Sequence, residues 1–406
     1  MSRKLLEGVK VLELASFIAA PSCAKILADW GALVIKVESL SGDGQRYIGT
    51  TFDCPANECE NPWFEEENFN KKSISVDLKS KDGQEILHKL MEGADVFVTN
   101  LRTPALERLG LAYQQLKSEY PQLIMGQIMG YGEKGPLKDK PGFDYTAYFA
   151  RGGIMASLME KDTSPINGGP GFGDHYAGIS LAGGVCAALY NRKESGLGEK
   201  VTVSLYHTAL YGMGSLIISD QYGNKMPLSR LKPNSPVLNS YKCKDDRWIQ
   251  LALVKYDLWI GKFFACIDRK DLIEDQRFNS QVAMADHVEE LVEIISQAMI
   301  LKGIDEWEQI LLEADVPFER IQTCEDIQKD QQAWANQYLI KKVYDTGTEG
   351  VLVNTPVQFK EMGDLDYNPA PRLGEDTDTV LKSIGYGTDE IEDLKLKKAI
   401  KSADNK

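Results

Sequence analysis

The strongest chemical candidate in the sequence is a single carboxylate between a glycine-rich coil and a run of small residues. Asp174 follows Gly171-Phe172-Gly173, and His175 comes directly after it. If a helix begins here, its N-terminus would favour negative charge, so Asp174 would stay ionised and could attack an electrophile. Backbone N–H groups of the glycines could hold the oxyanion formed by that attack. The competing interpretation is an ordinary helix N-cap, because Asp is a favoured capping residue.

Composition and charge limit the class of partner. The chain has 406 residues, of which 43% are apolar and 26% charged, as in soluble globular proteins. Its formal net charge of −14 argues against nucleic acid as a partner, because phosphate backbones bind basic faces. The apolar runs are shorter than the roughly 20 residues of a membrane span, and the N-terminal residues lack a secretion signal. We therefore expect a cytoplasmic protein with no membrane or nucleic-acid partner.

Cysteine and histidine usage argues against disulfides and metals. The seven cysteines are scattered and odd in number, which is typical of reduced thiols in a cytosolic protein. Cys54 and Cys59 form the only close pair, and no His or second Cys pair follows at zinc-finger spacing. The four histidines offer little material for metal-dependent hydrolysis. We expect no metal site.

Alternating strand and helix patterns surround the candidate carboxylate. Apolar, β-branched segments predict strands at residues 9–14, 33–37, 73–78, 95–99, 123–128 and 201–205. Amphipathic or small-residue segments predict helices at residues 21–30, 83–93, 176–192 and 206–218. Strand and helix in repetition predict an α/β fold with a parallel sheet and helices on its faces.

Changes in composition divide the chain into five segments. Residues 223–240 hold three prolines and no clear period, which is typical of a linker. The predicted organisation is a large domain at 1–222, a linker at 223–240, a smaller α+β domain at 241–323, a second linker at 324–342, and a C-terminal part at 343–406. We expect the last residues, 398–406, to be frayed.

The beginning of the chain is similar in pattern to a dinucleotide-binding fold, with Glu38 at the end of the second strand. The glycine fingerprint is absent, because the turn reads Ser16-Phe17-Ile18-Ala19-Ala20-Pro21 where G-x-G-x-x-G would stand. Pyrophosphate binding needs those glycines for close backbone approach. We therefore interpret Glu38 as a strand-end or ion-pair residue and do not expect NAD.

Short motifs follow one another in a fixed order along nearly the whole chain. They are Gly8 to Leu14 with Ala20-Pro21, Trp30 to Glu38, Gly42-Asp43 with Arg46, Asn70 to Ile74, Gly130 to Gly132 with Gly135-Pro136, Pro141 to Tyr145, Gly173-Asp174, Gly196 to Gly198, and Leu373 to Thr377. Together they resemble the family III CoA-transferases, the group that includes formyl-CoA and carnitine CoA-transferases. The resemblance runs from about Leu6 to Leu394.

This resemblance implies that Asp174 is the nucleophile of a CoA transfer between carboxylic acids. Its attack on the donor thioester would give a mixed anhydride, and the CoA thiolate would return to form an aspartyl-CoA thioester. The acceptor carboxylate would then attack that thioester, and CoA would leave on the new acid. No permanent cofactor is implied, since coenzyme A and acyl-CoA are substrates.

The resemblance also implies where the substrates bind. CoA contacts map onto Phe17, Ile18, Ala19, Asn100, Leu101, Arg108 and Tyr145, with Lys71 and Arg46 as weaker phosphate candidates. Ser39 stands where some family members carry Arg, so part of the phosphate contact must come from elsewhere. Tyr148, Arg151 and His175 are candidates for the substrate site. For Arg108 and Arg151 the alternative is an ordinary surface arginine.

Assembly and substrate class follow from the same resemblance. It implies a homodimer of interlocked ring-shaped chains, each with a Rossmann-like large domain built from both termini and a small domain. Residues 141–153 and 171–178 look most like the branch acting on (R)-2-hydroxy acids, such as (R)-2-hydroxyisocaproate in leucine fermentation. The donor would be a 2-enoyl-CoA such as isocaprenoyl-CoA, and the pathway neighbour a 2-hydroxyacyl-CoA dehydratase.

Three alternatives stay open. An aryl acid such as phenyllactate could be the acceptor. A racemase branch of the same fold exchanges the α-proton of an acyl-CoA and needs two acid/base groups. That branch carries His where Phe143 stands here, and His175 would not take its place. The third alternative is a non-catalytic acyl-CoA-binding module.

Overall fold

The structure, a computed structural model, describes residues 4–363 and 366–403. It divides into two compact units. The large unit comprises Met1–Ile154, Gly168–Gly214 and Gln332–Lys406, and the small unit comprises Met155–Asn167 and Ser215–Gln331. Residues 223–240, expected as a linker, lie within the small unit. Residues 155–167 also lie within the small unit, although the sequence showed no domain boundary there.

The strands form three sheets. Their bounds are β1 Lys10–Leu14, β2 Leu33–Glu38, β3 Lys72–Val76, β4 Val96–Thr99, β5 Ile124–Met129, β6 Lys200–Ser204, β7 Ser240–Lys242, β8 Trp248–Leu251, β9 Phe318–Arg320, β10 Leu339–Val343, β11 Glu349–Val353 and β12 Ile400–Lys401. The seven-stranded sheet of the large unit runs in the order β12-β3-β2-β1-β4-β5-β6. All its neighbours are parallel except β12 and β3. The predicted α/β class with a parallel sheet is confirmed.

The C-terminal strand corrects one expectation. Residues 398–406 were expected to be frayed, but Ile400 pairs with Val76 and Lys401 with Ser75 in the large sheet. Residues 404–406 of that segment lie outside the described residues. Strand β12 therefore closes the β3 edge of the sheet.

Helices cover the sheet and build the small unit. Their bounds are α1 Ala19–Asp29, α2 Gln45–Ile48, α3 Pro62–Asn68, α4 Lys81–Glu92, α5 Thr103–Arg108, α6 Tyr113–Glu119, α7 Ile154–Ser157, α8 Phe172–Ser195, α9 Leu205–Gly212, α10 Gly214–Asp220, α11 Tyr256–Cys266, α12 Gln281–Met284, α13 Val288–Met299, α14 Ile304–Glu313, α15 Cys324–Lys329, α16 Gln331–Ala335, α17 Thr377–Ser383 and α18 Thr388–Leu396. Short 3₁₀ turns occupy Gly49–Phe52 and Lys270–Ile273, and a π-helical turn occupies Asp144–Ala150. The small unit has its own apolar core, which includes Phe263, Phe264 and Trp307.

Small residues let α8 pack closely against α1. A side chain at Gly178 would collide with Ser22 and would lie 3.0 Å from the carbonyl oxygen of Ala19. Every residue of α1 is buried, so neither helix has room to move aside. The position of α8, whose first turn carries Asp174, is therefore fixed by contact with α1.

Candidate active site

The order of the strands places a crevice at the carboxyl ends of β1 and β4. Connections leave in opposite directions from these two neighbours, and ligands of open α/β sheets bind at such a point. The loop after β1 and the loop after β4 meet through two hydrogen bonds. Ser16 N donates to Asn100 Oδ1 at 3.1 Å, and Asn100 Nδ2 donates to Ser16 O at 2.7 Å. The loops that carry the predicted CoA contacts Phe17 and Leu101 are thus joined at the crevice.

The loop after β1 exposes an aromatic ring. Phe17 has φ +63°, a left-handed conformation that is strained for a bulky residue. Its N–H donates to Asp43 Oδ1 at 3.0 Å, which holds this conformation. The Phe17 ring lies edge-on to Phe143 with 6.3 Å between ring centroids, and both rings are exposed. The two rings form an apolar surface beside the crevice.

Asp174 lies in the first turn of α8, but it does not cap the helix. The N-cap is Gly171, with φ +87°, and Asp174 is the third helical residue. Within residues 4–363 and 366–403, no hydrogen bond reaches the Asp174 carboxylate. The capping interpretation is therefore wrong, and the half-buried carboxylate is free to meet a ligand.

A second carboxylate, Asp144, accepts the hydrogen bonds that the N–H groups of Gly171 and Gly173 donate. Asp144 Oδ1 accepts a hydrogen bond from Gly173 N at 3.0 Å, and the N–H of Gly171 also interacts with Asp144. A side chain at Gly173 would collide with Tyr148 and would lie 2.5 Å from Asp144 Oδ1. Burial raises the pKa of Asp144 to about 6, against the opposing effect of these N–H groups. The two glycines therefore anchor Asp144, which contradicts their expected role as oxyanion donors.

His175 forms an ion pair with α3. Its Nε2 lies 2.6 Å from Glu67 Oε1, and Glu67 is buried while the His175 side chain is 52% exposed. Glu67 raises the pKa of His175 to about 9, so the imidazole is protonated at neutral pH. The side chains of His175 and Ile18 both lie within 4 Å of the position that a Cβ at Gly171 would occupy. The start of α8 thus carries a cation next to Asp174.

The neighbouring groups oppose one another in their effect on Asp174. Burial and the nearby Asp144 raise the pKa of Asp174 to about 7, and His175 acts in the opposite direction. Burial and the surrounding carboxylates thus act against the helix N-terminus, which was expected to keep this carboxylate ionised. Asp174 titrates near neutral pH.

Comparison with known proteins identifies the family. The model described as CoA-transferase family III matches residues 6–377. The chain belongs to CoA-transferase family III. It is 60% identical over 397 residues to (R)-2-hydroxy-4-methylpentanoate CoA-transferase of Clostridioides difficile, covering 98% of this chain and 100% of that protein. It is 48% identical over 400 residues to cinnamoyl-CoA:phenyllactate CoA-transferase of Clostridium sporogenes, covering 98% and 97%.

Solved structures share the fold of this CoA-transferase. A CAIB/BAIF family protein from Brucella suis superposes with a TM-score of 0.80 at 28% identity, covering 93% of this chain and 99% of the other. A protein from Mycobacterium tuberculosis in an orthorhombic crystal form gives a TM-score of 0.81 at 25% identity, with the same coverage. The mixed α/β architecture of this CoA-transferase is therefore that of solved CAIB/BAIF family structures.

The remaining predicted contacts of this CoA-transferase lie on the surface of the large unit. Arg108 is exposed at the end of α5 and has no ion-pair partner in the described part of the chain. Tyr145 is exposed in the π-helical turn, and Tyr148 lies against Gly173. The guanidinium of Arg151 lies 5.3 Å from the centroid of the Tyr206 ring. Arg151 is therefore held by an aromatic ring and keeps its hydrogen-bond donors available.

Lys71 and Arg46 do not fit the phosphate-binding role expected of them. The ammonium of Lys71 is fully buried, 2.7 Å from Glu13 Oε2. Arg46 binds both oxygens of Glu38, at 2.8 and 2.7 Å, and its guanidinium lies 3.7 Å from the centroid of the Phe64 ring. Both cations are already neutralised, so we do not assign them to CoA. The Glu38 carboxylate is likewise occupied and is the ion-pair residue that the sequence indicated.

Lys36, a buried cation that the sequence did not reveal, connects the pair of Glu13 and Lys71 to Asp43. Lys36, with no exposed side-chain surface, lies 2.7 Å from Glu13 Oε1 and 2.8 Å from Asp43 Oδ2. Although burial alone raises the pKa of Glu13, Lys36 and Lys71 together lower it. Since Asp43 also accepts the Phe17 N–H, this network supports the loop after β1.

Sequence reasoning missed the residues that support the site. Asp43 and Asp144 belong to motifs that carried the family resemblance, so motif membership could have marked them. Glu67 gave no such signal, because its partner His175 lies 108 positions away. Such pairing depends on how α3 and α8 pack, which a local pattern does not contain.

The described residues hold neither a cluster of metal ligands nor a helix suited to crossing a membrane. In residues 4–363 and 366–403, no group of three or more His, Cys, Asp or Glu side chains is arranged to hold a metal ion. Across the same ranges, no helix combines the length and the apolar character that a membrane crossing requires.

Proposed function

We propose that this CoA-transferase moves CoA from a 2-enoyl-CoA, such as isocaprenoyl-CoA, to (R)-2-hydroxyisocaproate, which is (R)-2-hydroxy-4-methylpentanoate. The observation that carries the proposal is the 60% identity to the (R)-2-hydroxy-4-methylpentanoate CoA-transferase over all of that protein's length. The 48% identity to the phenyllactate enzyme supports the same class of 2-hydroxy acid and makes an aryl acceptor the alternative.

Asp174 is the nucleophile of the proposed reaction. Its carboxylate attacks the donor thioester carbonyl, a mixed anhydride forms, and CoA leaves as the thiolate. The thiolate then attacks the aspartyl carbonyl of the anhydride, which releases the donor acid and leaves CoA as a thioester on Asp174. The acceptor carboxylate then attacks the aspartyl-CoA thioester, which forms a second mixed anhydride and releases the CoA thiolate. The thiolate attacks the acceptor's carbonyl in that anhydride, which gives the new acyl-CoA and regenerates the Asp174 carboxylate. The absence of hydrogen bonds to Asp174 in the described part of the chain supports this role.

The crevice between β1 and β4 is the proposed CoA site. In this proposal CoA contacts the loop of Phe17, Ile18 and Ala19 on one side and Asn100 and Leu101 on the other. The exposed ring of Phe17 offers apolar contact, and Arg108, which has no ion-pair partner among the described residues, offers a cation for phosphate. Tyr145 contributes a further exposed ring.

The acceptor binds at the start of α8 in this proposal. Tyr148 lies against Gly173, and His175 is in the turn that carries Asp174. Arg151 offers charged donors to a carboxylate or hydroxyl group. Racemase chemistry is not favoured, because Phe143 has no proton to exchange at the position where that branch carries His.

The cellular setting is part of the proposal. All seven cysteines are free, which supports a reducing compartment such as the cytoplasm. The family resemblance supports an interlocked homodimer, which sedimentation analysis of the purified protein would test. A 2-hydroxyacyl-CoA product is the substrate of a dehydratase, so we place this enzyme before one in leucine fermentation.

Chemical trapping tests the nucleophile. Incubation with acyl-CoA followed by hydroxylamine or borohydride should modify Asp174, as seen in peptide mass spectra. The peptide containing Asp144 is the internal control and should stay unmodified. Asp174→Asn should abolish transfer while the thermal unfolding midpoint stays near that of the wild type. Full turnover by this variant would remove the mechanism.

A panel of acceptors tests the substrate. With one donor thioester, (R)-2-hydroxyisocaproate should give a higher kcat/KM than phenyllactate. Preference for phenyllactate would select the aryl alternative. Activity with oxalate or carnitine alone would overturn the assignment to 2-hydroxy acids, and α-proton exchange without transfer would select a racemase.

A further inference from the structure

The ion pair between Glu67 and His175 has a specific geometry beside the nucleophile. The two atoms, Glu67 Oε1 and His175 Nε2, are 2.6 Å apart, and Glu67 has almost no exposed surface. His175 directly follows Asp174 in the first turn of α8. Because Nε2 binds Glu67, the imidazole cannot rotate freely, and its charge stays fixed at the start of the helix.

Several carboxylates surround this one cation. Glu66 and Glu67 face it from α3, Asp174 lies on its own helix, and Asp144 faces the same turn from the π-helical segment. Burial raises the pKa of Glu66 to about 7. Glu66 is therefore partly neutral near pH 7 and competes only weakly with the other carboxylates for the positive charge of His175.

Nearby lysines are occupied by other partners. Lys25 of α1, which acts on Glu66, pairs with Asp29 at 2.9 Å. Lys71 pairs with Glu13 in the buried network. Among the described residues, His175 is thus the cation that acts on Asp144, Asp174 and Glu66 together.

We propose that His175, held in place by Glu67, is a positioning residue whose positive charge favours the anionic form of Asp174 for attack on the donor thioester. The inference rests on the proposed role of Asp174 as nucleophile. Only the carboxylate form of Asp174 can attack, and burial among other carboxylates favours the neutral form. A fixed imidazolium in the same helical turn opposes that effect while leaving the Asp174 oxygens unbonded.

The sign of the effect follows from the charges. Asp174 loses its proton as the pH rises through about 7, so labelling of wild-type Asp174 should accelerate across that range. Removing the His175 charge removes the group that lowers the pKa of Asp174. The rising part of the profile should therefore move to higher pH, and a shift of one unit is about a tenfold loss of rate on the acid side.

The experiment measures single-turnover labelling of Asp174 by acyl-CoA, trapped with hydroxylamine, from pH 5.5 to 9 in the full-length protein. His175→Gln retains a donor for Glu67 but carries no charge, and His175→Lys restores a charge. We expect His175→Gln to shift the profile upward by about one pH unit. His175→Lys should shift it back toward the wild type. A purely structural role would not be rescued by Lys.

His287→Gln provides the matched control. It removes another histidine that pairs with a glutamate, His287 with Glu290 at 3.4 Å, in the small unit. Its profile should match that of the wild type. If wild-type Asp174 is not labelled at any pH, the proposed function itself fails. If the wild type is labelled and His175→Gln gives the same profile, only the role of His175 is overturned. Thermal melts show whether each variant is folded.

Discussion

Ser16 and Asn100 exchange two hydrogen bonds between loops that lie 84 positions apart in the sequence. One residue follows β1 and the other follows β4, so the contact joins the two strands at which the sheet order reverses. The Asn100 side chain acts as both donor and acceptor to one backbone unit. This contact joins the two loops that border the crevice in which we propose that CoA binds.

Replacing Asn100 should therefore weaken CoA binding. Asn100→Ala removes both hydrogen bonds, and their loss corresponds to about 1–3 kcal/mol. We expect KM for the acyl-CoA donor to rise about tenfold or more, with a smaller change in kcat. Steady-state kinetics with varied donor would measure this. Asn191→Ala, on the exposed face of α8, is the control and should leave KM unchanged; equal effects of both variants would contradict the prediction.

The charge of Asp144 should shift the pH profile of activity in the direction opposite to the charge of His175. Asp144→Asn keeps an oxygen that can accept the Gly173 N–H but removes a negative charge. Because Asp144 raises the pKa of Asp174, the variant should ionise Asp174 at lower pH. Labelling of Asp174 at pH 6 should then be several-fold faster than in the wild type. Slower labelling at every pH would show that the Asp144 charge itself is required.

Arg108 should contribute to CoA affinity through charge. Arg108→Gln should raise KM for the acyl-CoA donor about tenfold, since charge-assisted bonds to phosphate are strong. The effect should shrink as ionic strength rises, because salt screens exposed charges. Lys193→Gln removes another exposed cation, at the far end of α8, and should change neither value. An unchanged KM in Arg108→Gln would assign Arg108 to the ordinary surface.

Gly178 should be essential for stability while Gly183 is not. A Cβ at Gly178 would collide with Ser22, whereas nothing lies within 4 Å of one at Gly183. Gly178→Ala should lower the free energy of unfolding by about 1–3 kcal/mol. Gly183→Ala should be neutral or raise it by up to about 1 kcal/mol, since Ala favours helix. Urea unfolding of both variants measures the difference, and equal values would contradict it.

The sequence was most informative about the large sheet. Strands β1, β2, β4 and β5 are largely apolar runs, and β3 and β6 alternate Ser or Thr with β-branched residues, so all six parallel strands are predictable without any contact information. The nucleophile candidate was also visible, because Asp174 is a single carboxylate between a glycine-rich coil and a run of small residues. The break between α9 and α10 was not predicted, since one apolar pattern continues through both.

Charged residues were harder to interpret. Lys71 and Arg46 have the right chemistry for phosphate, and only the fold reveals that Glu13 and Glu38 neutralise them inside the protein. Their burial depends on neighbouring strands and loops, and residue type alone does not contain that information. The same reason explains why Lys36, in the middle of β2, gave no sign of its role.

The small unit is inserted between parts of the large unit, and this arrangement affects the order of folding during synthesis. β1 to β6 leave the ribosome before the main part of the small unit, Ser215–Gln331, whereas α17, α18 and β12 follow it. Ser73 N bonds Asp376 Oδ2, a contact that spans 303 positions, so β3 keeps an unpaired edge until late in translation. Nascent chains should therefore be prone to aggregate through that edge and should benefit from chaperones.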